Sequence, residues 1–234
     1  MFYKISNTAS EEALEKTLQR TFKYPGLMEK RVLINGFEEA TIPIVSMDST
    51  GIVPAIWGIL PEGYTEDWQV FQNMGNTLNW PMATMDTNLW YAKSLLHKRC
   101  LIPVTGFFTS YLYAGVVYPF YFTRIEDRPF CLAGIYTVTE DGFITCSILT
   151  CNADERIKKV HNLGKDMPVI LGADRHEEWL QENLNMKRIQ EIAFEPDDYH
   201  MRCHPIAKGF FDHNISYKAM LDPVFYDNVP VGFF

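Results

Sequence analysis

Residues 99–108 of this 234-residue chain read RCLIPVTGFF. Residues 100–104 form an apolar run that contains β-branched side chains, a composition typical of a buried strand. Similar runs lie on both sides of it, and turn residues such as Asp141-Gly142 separate them. The sequence therefore predicts further strands over residues 31–35, 118–125, 130–138, 143–150 and 167–171.

Helices are predicted toward the two ends of the chain. Thr8 stands three residues before Glu11, a capping-box spacing, and apolar residues then recur at every fourth position from 14 to 22. This pattern predicts a helix that ends at Pro25-Gly26, and shorter helices are predicted over residues 153–160 and 174–183. Terminal helices around antiparallel strands favour an α+β fold, with a mixed, barrel-like β-sheet flanked by helices. No repeat or linker divides the chain, so one domain is expected over residues 1–234.

Composition limits the classes of function. The chain is 47% hydrophobic and 21% charged, as in a soluble globular protein. Its net charge of -8 means that a nucleic acid would have to bind in a locally basic groove. No window reaches roughly 18 uninterrupted apolar residues, so no membrane span is expected. The first residues lack the apolar core of a signal peptide, and five cysteines form no CxxC pair, so a cytoplasmic location is expected.

Common cofactor and metal motifs are absent from the sequence. It contains no GxGxxG, Walker loop, GxSxG or HExxH pattern, and we expect no cofactor. His200, Cys203 and His204 lie close together, but one short cluster supplies at most three ligands and no second half with matching spacing follows. We therefore predict no metal site.

Four short stretches carry a more specific signal through their order and spacing. They are WGILP at 57–61, RCLIP at 99–103 with GFF at 106–108, ILT at 148–150 with Ala153, and VHN at 160–162 with MPVIL at 167–171. Together they resemble the SOS-response-associated peptidase family, whose pattern runs WGLIP, RCLIPxxGFYEW, TxxAN and IHxRMPVIL. The resemblance extends from Met1 to about Lys208, and HPIA at 204–207 is similar to the family's closing strand. It implies the family's fold and, as partner, single-stranded or abasic-site DNA.

The resemblance also implies a chemistry. In the family, removal of the initiator methionine exposes a cysteine, whose amine and thiol close on the aldehyde of an opened abasic sugar to give a thiazolidine. An α-amine titrates near about 7.7–8.0 and a thiol near about 8.5, so both are partly nucleophilic at neutral pH. The glutamate of GFYEW and the histidine before RMPVIL move protons, and the peptidase label refers to self-removal of residues ahead of the cysteine.

This chain departs from the family pattern at the residues that carry the chemistry. Phe2 stands at the cysteine position, has no thiol, and should also block removal of Met1. Thr109 stands at the glutamate position, and a threonine hydroxyl cannot act as a general base at neutral pH. Asp166 replaces an arginine beside the presumed phosphate path. Thiazolidine crosslinking and self-processing are therefore expected to be impaired.

Other positions retain or modify the pattern. His161 keeps the family's histidine, while Lys4 and Thr150 are candidate DNA-binding residues. Asp86 and Asn88 take the places of an Asn-x-Arg and are also candidates for DNA contacts. The alternative for His161 is a buried histidine whose hydrogen bonds are satisfied within the core.

A local basic cluster could hold phosphates despite the overall charge. It consists of Arg156, Lys158, Lys159, His161 and Lys165, and we name Lys159 and Lys165 as DNA contacts. The alternative is a solvated helix face with partners at i+3 and i+4.

The sequence is compatible with two functions. One is a protein of the DNA damage response that binds single-stranded or abasic-site DNA, with any covalent link limited to a Schiff base. The other is a non-enzymatic, degenerate member of the fold that has no DNA chemistry. Whether the chain is an enzyme, and whether it has a protein partner, is not decided by the sequence. A sequence artefact at Phe2 is a third alternative, against which Thr109 and Asp166 both argue.

Overall fold

The computed structural model describes residues 2–84, 90, 92–194, 201–211, 217–227 and 229. The strands within this part of the chain are β1 (Lys4–Asn7), β2 (Arg31–Asn35), β3 (Thr41–Ser46), β4 (Val53–Trp57), β5 (Asn79–Pro81), β6 (Arg99–Val104), β7 (Gly106–Tyr113), β8 (Val116–Arg124), β9 (Phe130–Val138), β10 (Ile144–Asn152), β11 (Asp166–Pro168), β12 (Ile170–Leu171) and β13 (Met201–Pro205). The α-helices are α1 (Glu11–Leu18), α2 (Trp68–Met74), α3 (Ala92–His97), α4 (Glu155–Lys158), α5 (His176–Trp179) and α6 (Met186–Phe194). Short 3₁₀ helices cover Gly36–Glu38, Met82–Thr84, Ala173–Arg175, Lys208–Phe211 and Lys218–Leu221.

A closed barrel forms the centre of the fold. Its strands follow the order β10-β4-β3-β6-β9 and return to β10, with β10 and β4 parallel and the other pairs antiparallel. β5 and β11 extend the sheet beside β10, and β12 pairs with β9. The predicted α+β fold with a mixed, barrel-like sheet is confirmed.

A second, antiparallel sheet lies against the barrel in the order β13-β8-β7-β1-β2. One apolar cluster joins its inner face to the barrel strands, and it includes Phe2, Phe107 and Ile102. Another cluster covers the other face of the barrel strands with side chains of α1, α5 and α6, such as Leu14 and Trp179. Because both faces of β6 are buried, its residues form a continuous apolar run instead of alternating with polar ones.

Arg99, at the start of β6, is a structural residue. Its guanidinium is fully buried and donates hydrogen bonds to the carbonyl oxygens of Leu95, Leu96, Trp179 and Gln181. These carbonyls lie at the ends of α3 and α5, where a cation is favourable. Burial lowers the pKa of Arg99 to about 10, so the group stays charged at neutral pH.

The first helix is shorter than predicted. The Ser10 hydroxyl, not that of Thr8, caps α1. Gln19 then turns the backbone into the left-handed region with a φ of 52°, which ends the helix. Phe22 pairs with Ile52 in an isolated bridge, so the predicted continuation of the helix through Phe22 is wrong.

The strand predicted over residues 167–171 is divided at Val169. The Val169 amide donates to the carbonyl of Leu149, and its own carbonyl accepts from the amide of Ala133. This residue therefore bridges two strands, and β11 pairs with β10 while β12 pairs with β9.

Two predicted helices are also shortened. The helix predicted over residues 174–183 is a 3₁₀ turn followed by α5, which ends at Trp179. The helix predicted over residues 153–160 is the single turn of α4, capped by the Asp154 carboxylate. None of the helices in the described part of the chain has the length and apolar character needed to cross a membrane.

Candidate functional site

Phe2 lies against the inner core, just before β1. Its side chain is only 2% exposed. Its ring packs 5.1 Å from the His161 ring and edge-on against Phe107 at 5.5 Å, measured between centroids. The Phe2 carbonyl accepts a hydrogen bond from Asn79 Nδ2 at 2.6 Å. Residue 2 is therefore fixed beside the candidate histidine.

His161 is buried without being satisfied. It is 6% exposed, and neither ring nitrogen makes a hydrogen bond of acceptable geometry with the described residues. Burial lowers the pKa of His161, and the Ser110 backbone and the Asp166 carboxylate oppose that shift. The imidazole is consequently neutral at pH 7 and carries a free lone pair.

Thr109 joins the same site from β7. It is buried, and its hydroxyl donates to the carbonyl of Val160 at 3.1 Å, one residue before His161. The structure therefore brings Phe2, Thr109 and His161 together. The hydrogen bond from the Thr109 hydroxyl to the Val160 carbonyl connects β7 to the segment that carries His161.

Asn79 and His161, which both contact Phe2, carry buried polar atoms without a hydrogen bond in the described part of the chain. Within the described residues, Asn79 Oδ1, Thr150 Oγ1 and both nitrogens of His161 are buried without a hydrogen bond. β5 runs parallel to β10 with Asn79 opposite Ile148, so Asn79 and Thr150 point to the same face of the sheet. Buried polar atoms without partners are costly, and they suit a site that receives a polar ligand or ordered water.

Asn79 is a site residue that sequence patterns did not single out. It lies between two apolar neighbours, Leu78 and Trp80, in a three-residue strand. A lone amide in an apolar run is the one signal that could have found it, because buried amides are usually hydrogen-bonded.

The basic cluster is only partly available for binding. Lys158 pairs with Glu155 at 2.7 Å in an i,i+3 arrangement, and Arg156 lies 3.6 Å from the Asp154 carboxylate. These two pairs match the solvated-face alternative. The exposed side chains of 159 and 165, both lysines, make no ion pair within the described residues.

The remaining candidates lie elsewhere or outside the described residues. Lys4 is on the face of β1 opposite Ile5, with its ammonium 4.3 Å from the ring centroid of Phe211. The structure does not bring it to Phe2 and His161. Asp86 and Asn88 lie outside the described residues. His200, one of the three residues considered and rejected as metal ligands, also lies outside them. The described residues contain no group of three His, Cys, Asp or Glu side chains arranged to hold a metal.

An aromatic row leads from the site to the surface along β7. Side chains of a strand alternate, so Phe107, Thr109, Tyr111 and Tyr113 share one face. The rings of Tyr111 and Tyr113 are stacked, with centroids 6.3 Å apart and planes 13° apart, and Tyr113 is 37% exposed. Sequence patterns did not single out this pair.

Asn162 connects the aromatic row to the basic segment. Its Oδ1 accepts from the Leu112 amide at 2.7 Å, and its Nδ2 donates to the Leu112 carbonyl at 2.8 Å. Asn162, which lies three residues from both Lys159 and Lys165, is therefore tied to the backbone between the stacked tyrosines.

The fold is a closed mixed barrel with a second antiparallel sheet packed against it, and residue 2 lies beside a buried histidine. These features define an α+β protein whose candidate site includes its N-terminal segment. Residues 1–211 match the family model described as SOS response associated peptidase (SRAP). The chain belongs to the SRAP family.

The chain is also similar to curated proteins in sequence and to solved structures in fold. The abasic site processing protein YoaM of Bacillus subtilis is 27% identical over 157 residues, which cover 64% of this chain and 66% of YoaM, just under two thirds of its length. The abasic site processing protein YMR114C of Saccharomyces cerevisiae is 23% identical over 146 residues, 60% of this chain and 38% of that protein. A crystal structure of a Bacteroides thetaiotaomicron protein is 22% identical and superimposes with a TM-score of 0.84; the match covers 95% of this chain and 100% of that protein's chain. A crystal structure of a Bordetella bronchiseptica protein is 18% identical and superimposes with a TM-score of 0.72; the match covers 88% of this chain and 99% of that protein's chain.

Proposed function

We propose that this protein binds single-stranded or abasic-site DNA at the surface formed by the stacked tyrosines, beside the buried pair of Phe2 and His161, and that thiazolidine crosslinking and self-processing are impaired. Membership of the SRAP family and two relatives named abasic site processing proteins support the abasic-site context. We treat residues 1–234 as one domain. A cytoplasmic location is consistent with five free cysteines, four of them buried.

The observation that carries the proposal is the position of Phe2. Its ring lies 5.1 Å from the His161 ring, where the family's chemistry requires a thiol and an amine. A phenyl ring offers no nucleophile, and the Thr109 hydroxyl, bonded to the Val160 carbonyl, offers no base. The Asp166 carboxylate adds a negative charge near His161, where an arginine would attract phosphate.

The DNA contacts in this proposal use the surface next to the buried Phe2 and His161 rings. Bases stack on Tyr111 and Tyr113, because an aromatic face accepts any base. Phosphates pair with Lys159 and Lys165, which lie three residues on either side of Asn162, the residue tied to Leu112 between the tyrosines. Local contacts of this kind are needed because the chain carries a net charge of -8.

Covalent chemistry without the thiol is limited to an imine. An amine nitrogen attacks the aldehyde carbon, a C–N double bond forms and the aldehyde oxygen leaves as water. Water reverses this step, unless borohydride supplies a hydride that reduces the imine to a secondary amine.

The test is a denaturing gel of the protein incubated with an abasic oligonucleotide, with and without borohydride. We expect no adduct without borohydride. An adduct that survives denaturation without reduction would show that a stable crosslink forms and would contradict the impairment.

The buried, inert Phe2 ring also favours a second candidate, a binding protein of this fold that has no DNA function. A salt titration of binding to a labelled single strand separates the two. Two phosphate contacts predict a slope of about -1.4 in log K against log salt, and the double variant Lys159→Gln/Lys165→Gln should bring it close to zero. A slope near zero for the unmodified protein would favour the second candidate.

A further inference from the structure

A cleft of about 440 Å³ lies between α1, the turn that joins β8 to β9, and the start of α5. It shares no lining residue with the Phe2 and His161 site. Its cationic and imidazole side chains come from three separate elements: Lys16 of α1, Arg124 and Arg128 at the β8–β9 turn, and His176 of α5.

Arg124 lies in this cleft without a counterion. It is half-buried, its Nε is inaccessible to solvent and unbonded, and its side chain makes no ion pair or hydrogen bond with the described residues. Other arginines of the chain do find carboxylates: Arg20 bonds Glu177 at 2.7 Å, and Arg188 bonds Glu178 at 2.6 Å. A partly buried guanidinium without an acceptor is unfavourable, so this position is suited to an anion from outside the chain.

His176 supplies a second unpartnered group that faces the same cleft. It is 7% exposed, the Leu171 backbone bonds its ring, and Nε2 has no partner within the described residues. Burial and the neighbouring Arg124 lower the pKa of His176, while the hydrogen bond to the Leu171 backbone and the carboxylates of Glu177 and Asp174 oppose that shift. A neutral imidazole bonded at one nitrogen offers a lone pair at the other, and that lone pair requires a proton donor.

Two carboxylates, Glu126 and Asp127, also line the cleft, and they and the carboxylates next to it lie near other cations. Asp127 bonds Arg202 at 2.6 Å, Glu126 lies 3.8 Å from Arg128, Asp174 lies 3.8 Å from Arg175, and Glu177 bonds Arg20. Lys16 and Arg124 make no ion pair within the described residues. The cleft therefore keeps two uncommitted positive charges beside the unpartnered imidazole.

We infer that this cleft binds a phosphate monoester or inorganic phosphate, with Arg124 and Lys16 pairing its charge and His176 Nε2 sharing one proton with a phosphate oxygen. A monoester has a second pKa near about 6, so it can donate P–O–H to the neutral imidazole or accept a hydrogen bond from the protonated one. A phosphodiester has no proton to share at neutral pH. The inference does not rest on the proposed DNA function.

Calorimetric titration of the full chain tests this inference. Inorganic phosphate and a nucleoside 5′-monophosphate should each bind once per chain, and dimethyl phosphate should bind about tenfold more weakly or not at all. The variants Arg124→Gln and His176→Gln should each lose about tenfold in affinity or more. The control Arg31→Gln removes an equal charge from an exposed strand position and should change affinity less than twofold.

Several results would overturn the inference. They are no binding of either monophosphate, equal binding of dimethyl phosphate, or an equal loss in Arg31→Gln and Arg124→Gln. If a variant does not fold, the pH titration of the His176 ring resonance by NMR in the unmodified protein replaces it. Phosphate should raise the midpoint of that titration, and an unchanged midpoint would contradict the inference.

The source of the phosphate follows from one more comparison. An oligonucleotide with a 5′-phosphate, set against the same strand with a 5′-hydroxyl, separates a strand end from a free anion. Tighter binding of the phosphorylated strand that Arg124→Gln abolishes supports a strand end as the ligand. Equal binding of the two strands, with retained phosphate binding, supports the free anion.

Discussion

The ring of Phe2 packs on the imidazole of His161, with 5.1 Å between the ring centroids and 38° between the planes. This contact has two consequences. The phenyl ring buries the imidazole in an apolar setting, and under the proposed function it fills the position from which a nucleophile would act on a bound aldehyde. We therefore expect substitutions of Phe2 to change both stability and chemistry.

Replacing Phe2 by alanine should lower the free energy of unfolding by about 3–5 kcal/mol, because it leaves a cavity in a fully packed core. Urea denaturation followed by circular dichroism measures this change. The control is Phe143→Ala, since Phe143 is exposed and its loss should cost less than about 0.5 kcal/mol. Equal effects of the two substitutions would mean that Phe2 does not pack as described.

Stability should fall as the pH is lowered through about 6.5. The folded-state pKa of His161 is lowered by burial from its ordinary value of 6.5, so the unfolded chain takes up a proton that the folded chain does not. The stability that the neutral ring contributes is present above pH 6.5 and is lost as the pH falls toward the folded pKa. His176 and His204, whose pKa values are also lowered by burial, add to the same slope.

The measurement is the free energy of unfolding at pH 7.5 and pH 5.5 for the unmodified protein and for His161→Gln. The variant should show a smaller decrease, since one titrating group is gone. An identical decrease in both proteins would mean that His161 keeps an ordinary pKa.

Gly106 should not tolerate a side chain. A Cβ at this position would overlap the Tyr121 ring and the Phe122 carbonyl oxygen. Gly106→Ala should therefore cost about 1–3 kcal/mol of stability, measured by thermal or urea unfolding. Gly75→Ala is a matched control, because no atom lies within 4 Å of the added Cβ and the backbone there is extended, and it should be close to neutral.

Most of the long apolar strands were predicted from the sequence, including β6 and β8, which contain Pro103 and Pro119, whereas β1 and β7 contain no proline and were not predicted. β2 and β9 have the predicted bounds, because their apolar and aromatic runs are buried and end at turn residues. β3 and β4 were not predicted. Each contains a proline, Pro43 or Pro54, which is atypical of a paired strand, and the two prolines lie directly opposite each other in the barrel.

The residues of the candidate site were also predicted only in part from the sequence. The spacing of motifs singled out Phe2, Thr109 and His161, and the structure brings these three together. It could not single out Asn79 or Tyr113, because their roles depend on which strands become neighbours. That arrangement comes from tertiary pairing, which no local pattern encodes.

Tyr113 should contribute to binding of single-stranded DNA. It is exposed and stacked on Tyr111, and base stacking on an aromatic side chain is worth about 1–3 kcal/mol. Tyr113→Ala should therefore weaken binding by about tenfold, measured by fluorescence anisotropy at fixed salt. Tyr24→Ala removes an even more exposed ring, 51% against 37%, and should have no effect. A similar loss in both variants would place the DNA elsewhere.

Restoring the missing groups should restore a stable crosslink. In Phe2→Cys, the small side chain permits removal of Met1 and presents an amine and a thiol beside His161. The amine and the thiol each form a bond to the aldehyde carbon, the aldehyde oxygen leaves as water, and the thiazolidine resists hydrolysis better than an imine. Adding Thr109→Glu supplies a general base and should raise the rate of crosslinking by about tenfold or more, measured on denaturing gels without borohydride. Phe2→Ala opens a comparable cavity without a thiol and should give no adduct. If Phe2→Ala crosslinks as well as Phe2→Cys, or if Phe2→Cys gives no adduct while remaining folded, the phenyl ring is not what separates this chain from crosslinking chemistry.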